Sequence, residues 1–140
     1  MQSNESRRVR RVLVVDDEPE FAALMSDVLA TLSEPLNVAI AGNGQAAVEA
    51  VRHDAPDLVL LDVNMPVMNG LDALKHIREL DPQLPVLLVT ATDCRSASQG
   101  LSSGAFGYLP KPMDLRYVSH LVGLALKYRA DHAARTGRTR

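Results

Sequence analysis

Five polar residues that could bind a divalent cation or a phosphoryl group each follow a short apolar run. Asp16 and Asp17 follow the first run, Asp62 the third, Thr90 the fourth and Lys111 the fifth. Three carboxylates held together repel one another and lose hydration, so they require a cation. Oxygen ligands suit Mg²⁺, whereas Zn²⁺ prefers His or Cys. With a lysine charge and a hydroxyl donor beside them, these groups predict attack of the Asp62 carboxylate on a phosphoryl group.

Each of these residues also has an ordinary structural explanation. Asp17 alone could be the N-cap of a helix. Thr90 could be a buried hydroxyl, and Lys111 before Pro112 could belong to a simple loop. The chemical interpretation depends on the joint placement of all these residues after apolar runs.

The apolar runs have the character of strands that are buried on both faces of a sheet. Unbroken apolar segments of this length are typical of parallel sheets covered by helices. The second run is followed by no chemical group, as expected of a strand at the sheet edge. The five runs are Val12–Val15, Val38–Ala41, Leu58–Leu61, Val86–Val89 and Phe106–Leu109.

Helical segments alternate with these runs. Pro19 can occupy a first helical turn, and apolar residues at helical spacing follow it; the segment 93–103, rich in Ser, is a poor helix by propensity. Five strands alternating with five helices predict an α/β fold, a doubly wound five-stranded parallel sheet flanked by helices. The ends of its strands would gather the polar residues at one edge. The apolar rows are Phe21, Leu24, Met25, Val28, Leu29 and Leu32; Ala46, Ala47, Ala50 and Val51; Leu71, Leu74 and Ile77; and Leu115, Val118, Leu121, Val122, Ala125 and Leu126.

Composition limits the function classes. A chain of 140 residues is one domain in size, and its net charge of −2 with 4% aromatic residues makes nucleic-acid binding by this domain unexpected. Cys94 is the single cysteine, which favours the cytoplasm. No segment has the roughly 20 apolar residues of a membrane span. We expect a domain over 9–128 between flexible basic ends at 1–8 and 129–140.

The chain resembles the response-regulator receiver domain of two-component signalling, over residues 9–128. The stretches that carry the resemblance occur in the family's order: VLVVDDEPEF, LVLLDVNMPVMNGLDAL, VLLVTAT and GAFGYLPKP. The resemblance implies a flavodoxin-like receiver fold. It also implies that Asp62 accepts a phosphoryl group from a histidine of a sensor kinase or a phosphotransfer protein, and that the domain catalyses this transfer and its own dephosphorylation.

The resemblance also implies a metal site and a position for water. Asp17, Asp62 and the backbone carbonyl of Asn64 would bind Mg²⁺, and Asp16 would assist through water. Asn64 and Thr92 would flank the water that removes the phosphoryl group.

The remaining implied roles concern the phosphoryl group and the signal. Thr90 and Lys111 would hold the phosphoryl group, with a cis peptide bond between Lys111 and Pro112. Thr90 and Tyr108 would form the switch. The weakly held segment 93–103 would then form, with the last strand and the last helix, a docking face for a partner or for a second copy in a homodimer.

Two other classes of protein share part of this pattern. A Mg²⁺-dependent phosphatase acting on a small molecule would use the same chemistry, but it needs a cap or substrate pocket for which the chain leaves little length. A purely structural interaction module could retain an unused acidic pocket. The sequence leaves open the kinase, the output, and whether this receiver stands alone or is one part of a longer protein.

Overall fold

The computed structural model describes residues 9–65, 68–91 and 94–136. Strands and helices alternate along the chain as the sequence predicts, and this confirms the fold class. The elements are β1 Arg10–Val15, α1 Pro19–Ala30, β2 Leu36–Ala41, α2 Gly44–Asp54, β3 Leu58–Asp62, α3 Gly70–Leu80, β4 Val86–Thr90, α4 Cys94–Ser102, β5 Gly107–Pro110 and α5 Leu115–Thr136.

The five strands form one parallel sheet in the order β2-β1-β3-β4-β5. The chain first steps outward from β1 to β2 and then returns to β3 on the other side of β1. Such a reversal opens a crevice at the carboxyl ends of the two central strands, where α/β proteins bind ligands. As predicted, β2 lies at an edge.

Alternation along the strands divides the core into two clusters. In β1, Val12 and Val14 pack with Met25 and Val122, whereas Leu13 and Val15 pack in the other cluster. Helices α1 and α5 therefore cover one face of the sheet, and α2 and α3 cover the other. Because both faces are covered, β3 and β4 are buried along their whole length, which explains their unbroken apolar sequence.

Local signals fix where three helices begin. Pro19 occupies the first turn of α1 as expected, after Glu18 as N-cap. The side chain of Asn43 accepts a hydrogen bond from the backbone of Ala46, and Asn69 caps α3 in the same way. Because Glu18 and not Asp17 is the N-cap of α1, the N-cap interpretation of Asp17 is wrong.

The expectation of a flexible tail beginning at position 129 is corrected by the course of α5. This helix continues to Thr136. Arg129 fixes the continuation, because its Nη2 lies 2.7 Å from Oδ2 of Asp81 and its Nε lies 3.9 Å from Oδ1 of Asp57. A basic residue that the sequence placed in a solvated end is thus part of the fold. The expected arm at 1–8 and the last four residues lie outside the described residues.

Two apolar residues assigned to buried helix rows are exposed. Leu24 of α1 is 54% exposed and Leu115 at the start of α5 is 56% exposed. Each lies at the margin of its helical row. The last strand is also displaced by one residue from the predicted Phe106–Leu109.

Candidate functional site

Parallel pairing brings the predicted site residues to one edge of the sheet. Val15 pairs with Leu61, so Asp16 and Asp62 follow neighbouring strands. Asp62 pairs with Val89, next to Thr90, and Thr90 pairs with Pro110, next to Lys111. Residues that are far apart in the sequence therefore lie close together at the ends of neighbouring strands, as the apolar runs predict.

Three carboxylates form the centre of this site. Asp16, Asp17 and Asp62 each offer an oxygen within 4.8 Å of the others. Asp16 and Asp62 are buried, at 3% and 4% exposure, whereas Asp17 is exposed. Oδ1 of Asp16 accepts a hydrogen bond of 2.8 Å from the backbone N–H of Glu18, which fixes its orientation.

Burial and crowding disfavour the charged form of the Asp62 carboxyl. Burial, first, and the charge of Asp16, second, raise the pKa of Asp62 to about 6. Lys111 and the backbone N–H of Asn64 oppose this rise in pKa, and Asp17 adds to it. Asp62 therefore lies where added positive charge would be strongly favourable.

Lys111 supplies the single ammonium group that the described residues place within ion-pair distance of this cluster. Its Nζ lies 3.5 Å from Oδ2 of Asp16 and 3.8 Å from Oδ1 of Asp62. The peptide bond between Lys111 and Pro112 is cis, as expected. One ammonium faces three carboxylates, so the site retains an excess of negative charge.

The hydroxyl of Thr90 is buried beside the acidic cluster. Thr90 is 2% exposed, and its buried Oγ1 has no hydrogen-bond partner in the part of the chain that the structure describes. Buried polar atoms are nearly always hydrogen-bonded, so an exception among the described residues requires an explanation, and a functional role is one. This observation disfavours the interpretation of Thr90 as a satisfied core hydroxyl.

Asn64 contacts Asp62 through its backbone. Its N–H donates a hydrogen bond of 3.3 Å to Oδ1 of Asp62, and the residue is exposed. Thr92, the other residue expected beside the water, lies outside the described residues.

Comparison with known proteins identifies this arrangement. The family model for the response regulator receiver domain matches residues 12–122. The chain belongs to the response regulator receiver family. It is therefore a signalling domain of two-component systems.

Individual relatives agree with this assignment. The "Probable transcriptional regulatory protein TcrX" of Mycobacterium tuberculosis is 44% identical over 108 residues, which are 76% of this chain and 45% of that protein. The DNA-binding response regulator MtrA of Mycolicibacterium smegmatis is 39% identical over 126 residues, 89% of this chain and 54% of MtrA. This receiver spans about half the length of these two relatives.

A solved structure of a chemotaxis protein has the same fold. The chemotaxis protein CheY4 of Vibrio cholerae superimposes with a TM-score of 0.76 at 28% identity, covering 85% of this chain and all of that one, at 100%. Among the described residues of the receiver, no helix combines the length and the apolar character needed to cross a bilayer.

The predicted switch residue Tyr108 lies on β5, paired with Leu88 of β4. It is half-buried and packs against the same core cluster as Leu71 and Ala105. Thr90 is two residues beyond Leu88 on β4, so the two predicted switch residues occupy neighbouring strands of the receiver.

Sequence reasoning missed one contact of the site. Phe21, assigned to the apolar row of α1, lies beneath Lys111, whose Nζ is 4.2 Å from the ring centroid. Phe21 stands four residues after Asp17, in the first turn of the helix that follows the acidic pair. Its closeness to Asp17 in the sequence could have indicated that Phe21 lies at the site. An apolar residue in a helical row is, however, usually a core residue.

Proposed function

We propose that this receiver accepts a phosphoryl group on Asp62 from a histidine of a sensor kinase or phosphotransfer protein, and acts as a switch in the cytoplasm. The convergence of three groups supports the proposal. A buried carboxylate has an ammonium group 3.8 Å away, and the buried Thr90 hydroxyl on the adjacent strand has no partner among the described residues. Buried ionisable groups in crowded, charged surroundings concentrate at functional sites of proteins.

The donors present fit Mg²⁺. They are carboxylate and carbonyl oxygens at an excess of negative charge, the chemistry that this hard cation prefers. We assign Asp17, Asp62 and the backbone carbonyl of Asn64 as its ligands, with Asp16 assisting through water. When bound, Mg²⁺ supplies positive charge that offsets the carboxylates and the oxygens of the incoming phosphoryl group.

The side chains of the receiver then carry the transfer. An oxygen of the Asp62 carboxylate attacks phosphorus, the P–N bond to the donor histidine breaks, and its electron pair returns to the imidazole. Lys111 contributes a point charge to one phosphoryl oxygen and Thr90 donates its hydroxyl to another. Apart from this transfer and its own dephosphorylation, we assign the domain no enzymatic activity.

Loss of the phosphoryl group requires water at Asp62. Asn64 is exposed and adjacent, and it offers an amide rather than a charged base. Replacing Asn64 by Ala should change the lifetime of the phosphorylated form by more than about twofold. A lifetime that stays within that range would remove Asn64 from the role.

Acetyl phosphate with Mg²⁺ tests the acceptor directly. The protein should gain one phosphoryl group by mass spectrometry, and Asp62→Asn should gain none because an amide cannot form an acyl phosphate. Asp54→Asn is the matched control, since Asp54 is an exposed carboxylate at the far end of α2. Labelling of the Asp62→Asn variant at the level of the control would disprove the assignment.

Variants of Asp16 and Asp17 test the metal ligands separately from the phosphoryl acceptor. Asp17→Asn should weaken Mg²⁺ binding more than Asp16→Asn, because Asp17 is assigned as the direct ligand. Equal losses of Mg²⁺ affinity would show that the direct ligand is wrong while leaving Asp62 as acceptor.

The phosphodonor must reach Asp62 past the rim of the site. An apolar groove of about 500 Å³ adjoins this rim, and Lys111 belongs both to its wall and to the site. Its other lining residues are Phe21, Leu24, Met25, Val28, Pro112, Met113 and Leu115. We propose that the donor protein packs on this groove while it presents its histidine to Asp62. This contact would explain why two large apolar side chains, Leu24 and Leu115, are exposed.

Transfer from a phosphorylated phosphotransfer protein tests this docking. Leu24→Glu should slow that transfer by about tenfold or more, since a charge would be buried at the contact, and it should leave labelling by acetyl phosphate unchanged. Leu101→Glu, on the exposed surface of α4, is the control and should slow neither reaction.

The output face is proposed on α4, β5 and α5. Helix α4 is short and packs chiefly against α3, β4 and β5, so a small change near Thr90 can shift its position. We propose that this face binds a downstream protein or a second copy of the chain. DNA binding is named for the relative MtrA, and we do not assign it to this domain.

A further inference from the structure

The ammonium group of Lys111 is bounded by two carboxylates and one aromatic ring. Its Nζ lies 3.5 Å from Asp16, 3.8 Å from Asp62 and 4.2 Å from the centroid of the Phe21 ring. The side chain of Lys111 is 21% exposed, so most of it is held against protein. The two carboxylates belong to the proposed phosphorylation chemistry, whereas the ring has no part in it.

We propose that Phe21 is a positioning residue that holds the Lys111 ammonium at the acceptor through a cation–π contact. The inference rests on the proposed function, because it concerns the group that receives a phosphoryl oxygen. A lysine side chain has many rotamers, and fixing it beforehand lowers the entropy lost when it engages a ligand. The face of an aromatic ring attracts a cation placed within about 6 Å of it.

The ring can hold the ammonium without competing for it. A third carboxylate on this side would accept one of the three lysine N–H donors and add to the negative charge around Asp62. A phenyl ring has no lone pair to accept a conventional hydrogen bond and no net charge, so the donors stay available to the acceptor and its ligand. The site thereby gains orientation without gaining electrostatic repulsion.

The fold keeps the ring in place. Helix α1 begins at Pro19, directly after the acidic pair, and Phe21 lies in its first turn. The next residue, Ala22, and Met25 are buried in the core beneath the helix, and Phe21 packs partly against the same cluster. Because α1 is anchored in this way, the ring position is fixed independently of Lys111.

Ring-current shifts test the contact in the unaltered protein. The ε-methylene protons of Lys111 should resonate upfield of ordinary lysines, with the assignment made by loss of the signal in Lys111→Arg. Phe21→Leu should return them to ordinary shifts, and Phe21→Tyr should keep them upfield. Ordinary shifts in the unaltered protein would overturn the inference without any variant.

Binding of beryllofluoride at saturating Mg²⁺ tests the consequence. Phe21→Leu preserves an apolar side chain but lacks the ring, and it should weaken binding about three- to tenfold, the range set by one cation–π contact. Phe21→Tyr should stay within about twofold of the unaltered protein. Leu80→Ala, a change of an exposed apolar residue at the end of α3, is the control and should also stay within about twofold.

The outcomes separate this inference from the proposed function. If the unaltered receiver binds no beryllofluoride, the proposed function fails. If it binds and Phe21→Leu binds equally well, or if Leu80→Ala loses as much affinity as Phe21→Leu, the positioning role fails and the proposed function stands. Thermal unfolding of each variant confirms that it is folded under the conditions of binding.

Discussion

The two ends of strand β3 carry buried carboxylates with opposite surroundings. Asp57 directly precedes the strand and Asp62 ends it, and both residues are 4% exposed. Oδ2 of Asp57 accepts a hydrogen bond of 2.9 Å from the backbone N–H of Arg11, and Arg129 lies beside its other oxygen. Asp62 instead faces two further carboxylates, and it shares the Lys111 ammonium with one of them, Asp16.

Burial alone therefore does not distinguish a structural carboxylate from a functional one. At the Asp57 end, the fold supplies a guanidinium that can satisfy the charge without any ligand. At the Asp62 end, the described residues leave negative charge uncompensated and a hydroxyl unpaired. The difference lies in the supply of partners, and the end that lacks them is the one open to a cation and a phosphoryl group.

The strongest test of this comparison is the stability of two variants. Asp57→Ala should lower the free energy of unfolding by about 3 kcal/mol, because it breaks a buried charged contact. Asp62→Asn should raise it by roughly 1–2 kcal/mol at pH 7 without Mg²⁺, because it removes a carboxylate whose ionised form the fold disfavours. Urea unfolding measures both variants, and a loss of stability in Asp62→Asn would contradict the contrast.

The pH dependence of stability follows from the same residue. The folded-state pKa of Asp62 is raised from 3.8 to about 6, so the folded protein binds this proton more tightly than the unfolded chain does. The resulting stabilisation is full below about pH 4 and is lost as the pH rises through about 6. We expect the Asp62→Asn variant to lack this component of the pH profile.

Mg²⁺ should reverse that loss. Thermal unfolding at pH 7 should shift upward with added Mg²⁺ in the unaltered protein, since the ion binds the folded state, and the shift should be much smaller in Asp17→Asn. An equal Mg²⁺ shift in Asp17→Asn would indicate that the ion binds elsewhere.

Two threonines sharpen the comparison at the level of a single hydroxyl. Oγ1 of Thr90 has no partner among the residues that the structure describes, whereas Oγ1 of Thr31 donates a hydrogen bond of 2.7 Å to the carbonyl of Val28. Thr90→Val should leave stability unchanged or slightly higher and weaken beryllofluoride binding about tenfold. Thr31→Val should cost about 1 kcal/mol of stability and leave that binding unchanged. Identical profiles for the two variants would show that the Thr90 hydroxyl has no special role.

The smallest expected effect is a redistribution of hydrogen exchange. Beryllofluoride should alter protection in α4, β5 and the start of α5, because the Thr90 hydroxyl turns to the ligand and Tyr108 can move into the space beside it. Amides around Asp57 and Arg129 should keep their protection. Changes confined to the loops after β1 and β3 would show that the signal does not leave the site.

The sequence was sufficient for the fold and for the placement of the acidic residues, Thr90 and Lys111 at one edge of the sheet. Unbroken apolar strands specify a parallel sheet covered on both faces, and a parallel sheet brings its carboxyl ends together. Asp62 and Lys111 therefore lie as predicted although 48 residues separate them in the chain. Their chemical roles stay predictions until the phosphorylation and binding tests are made.

The rest depended on contacts that periodicity does not contain. Arg129 looked like part of a basic tail, because its partners Asp57 and Asp81 become neighbours only when α5 folds back to the far end of the sheet. Leu24 fitted a helical row but lies at its margin and is 54% exposed. Phe21 looked like an ordinary core residue because its special contact is with a lysine on another element.

Gly70 at the start of α3 makes the surroundings of Asp62 mechanically unequal. Its N–H donates a hydrogen bond of 2.9 Å to the carbonyl of Val63, and a Cβ at this position would collide with the backbone of Asp62 and Val63. The backbone of α3 therefore packs directly against the backbone that follows β3, and such a contact leaves little room for movement. Helix α4, by contrast, approaches the sheet through Gly100 against the side chain of Leu88, and a side chain can yield by changing rotamer. A displacement at Asp62 would therefore meet more resistance toward α3 than toward α4.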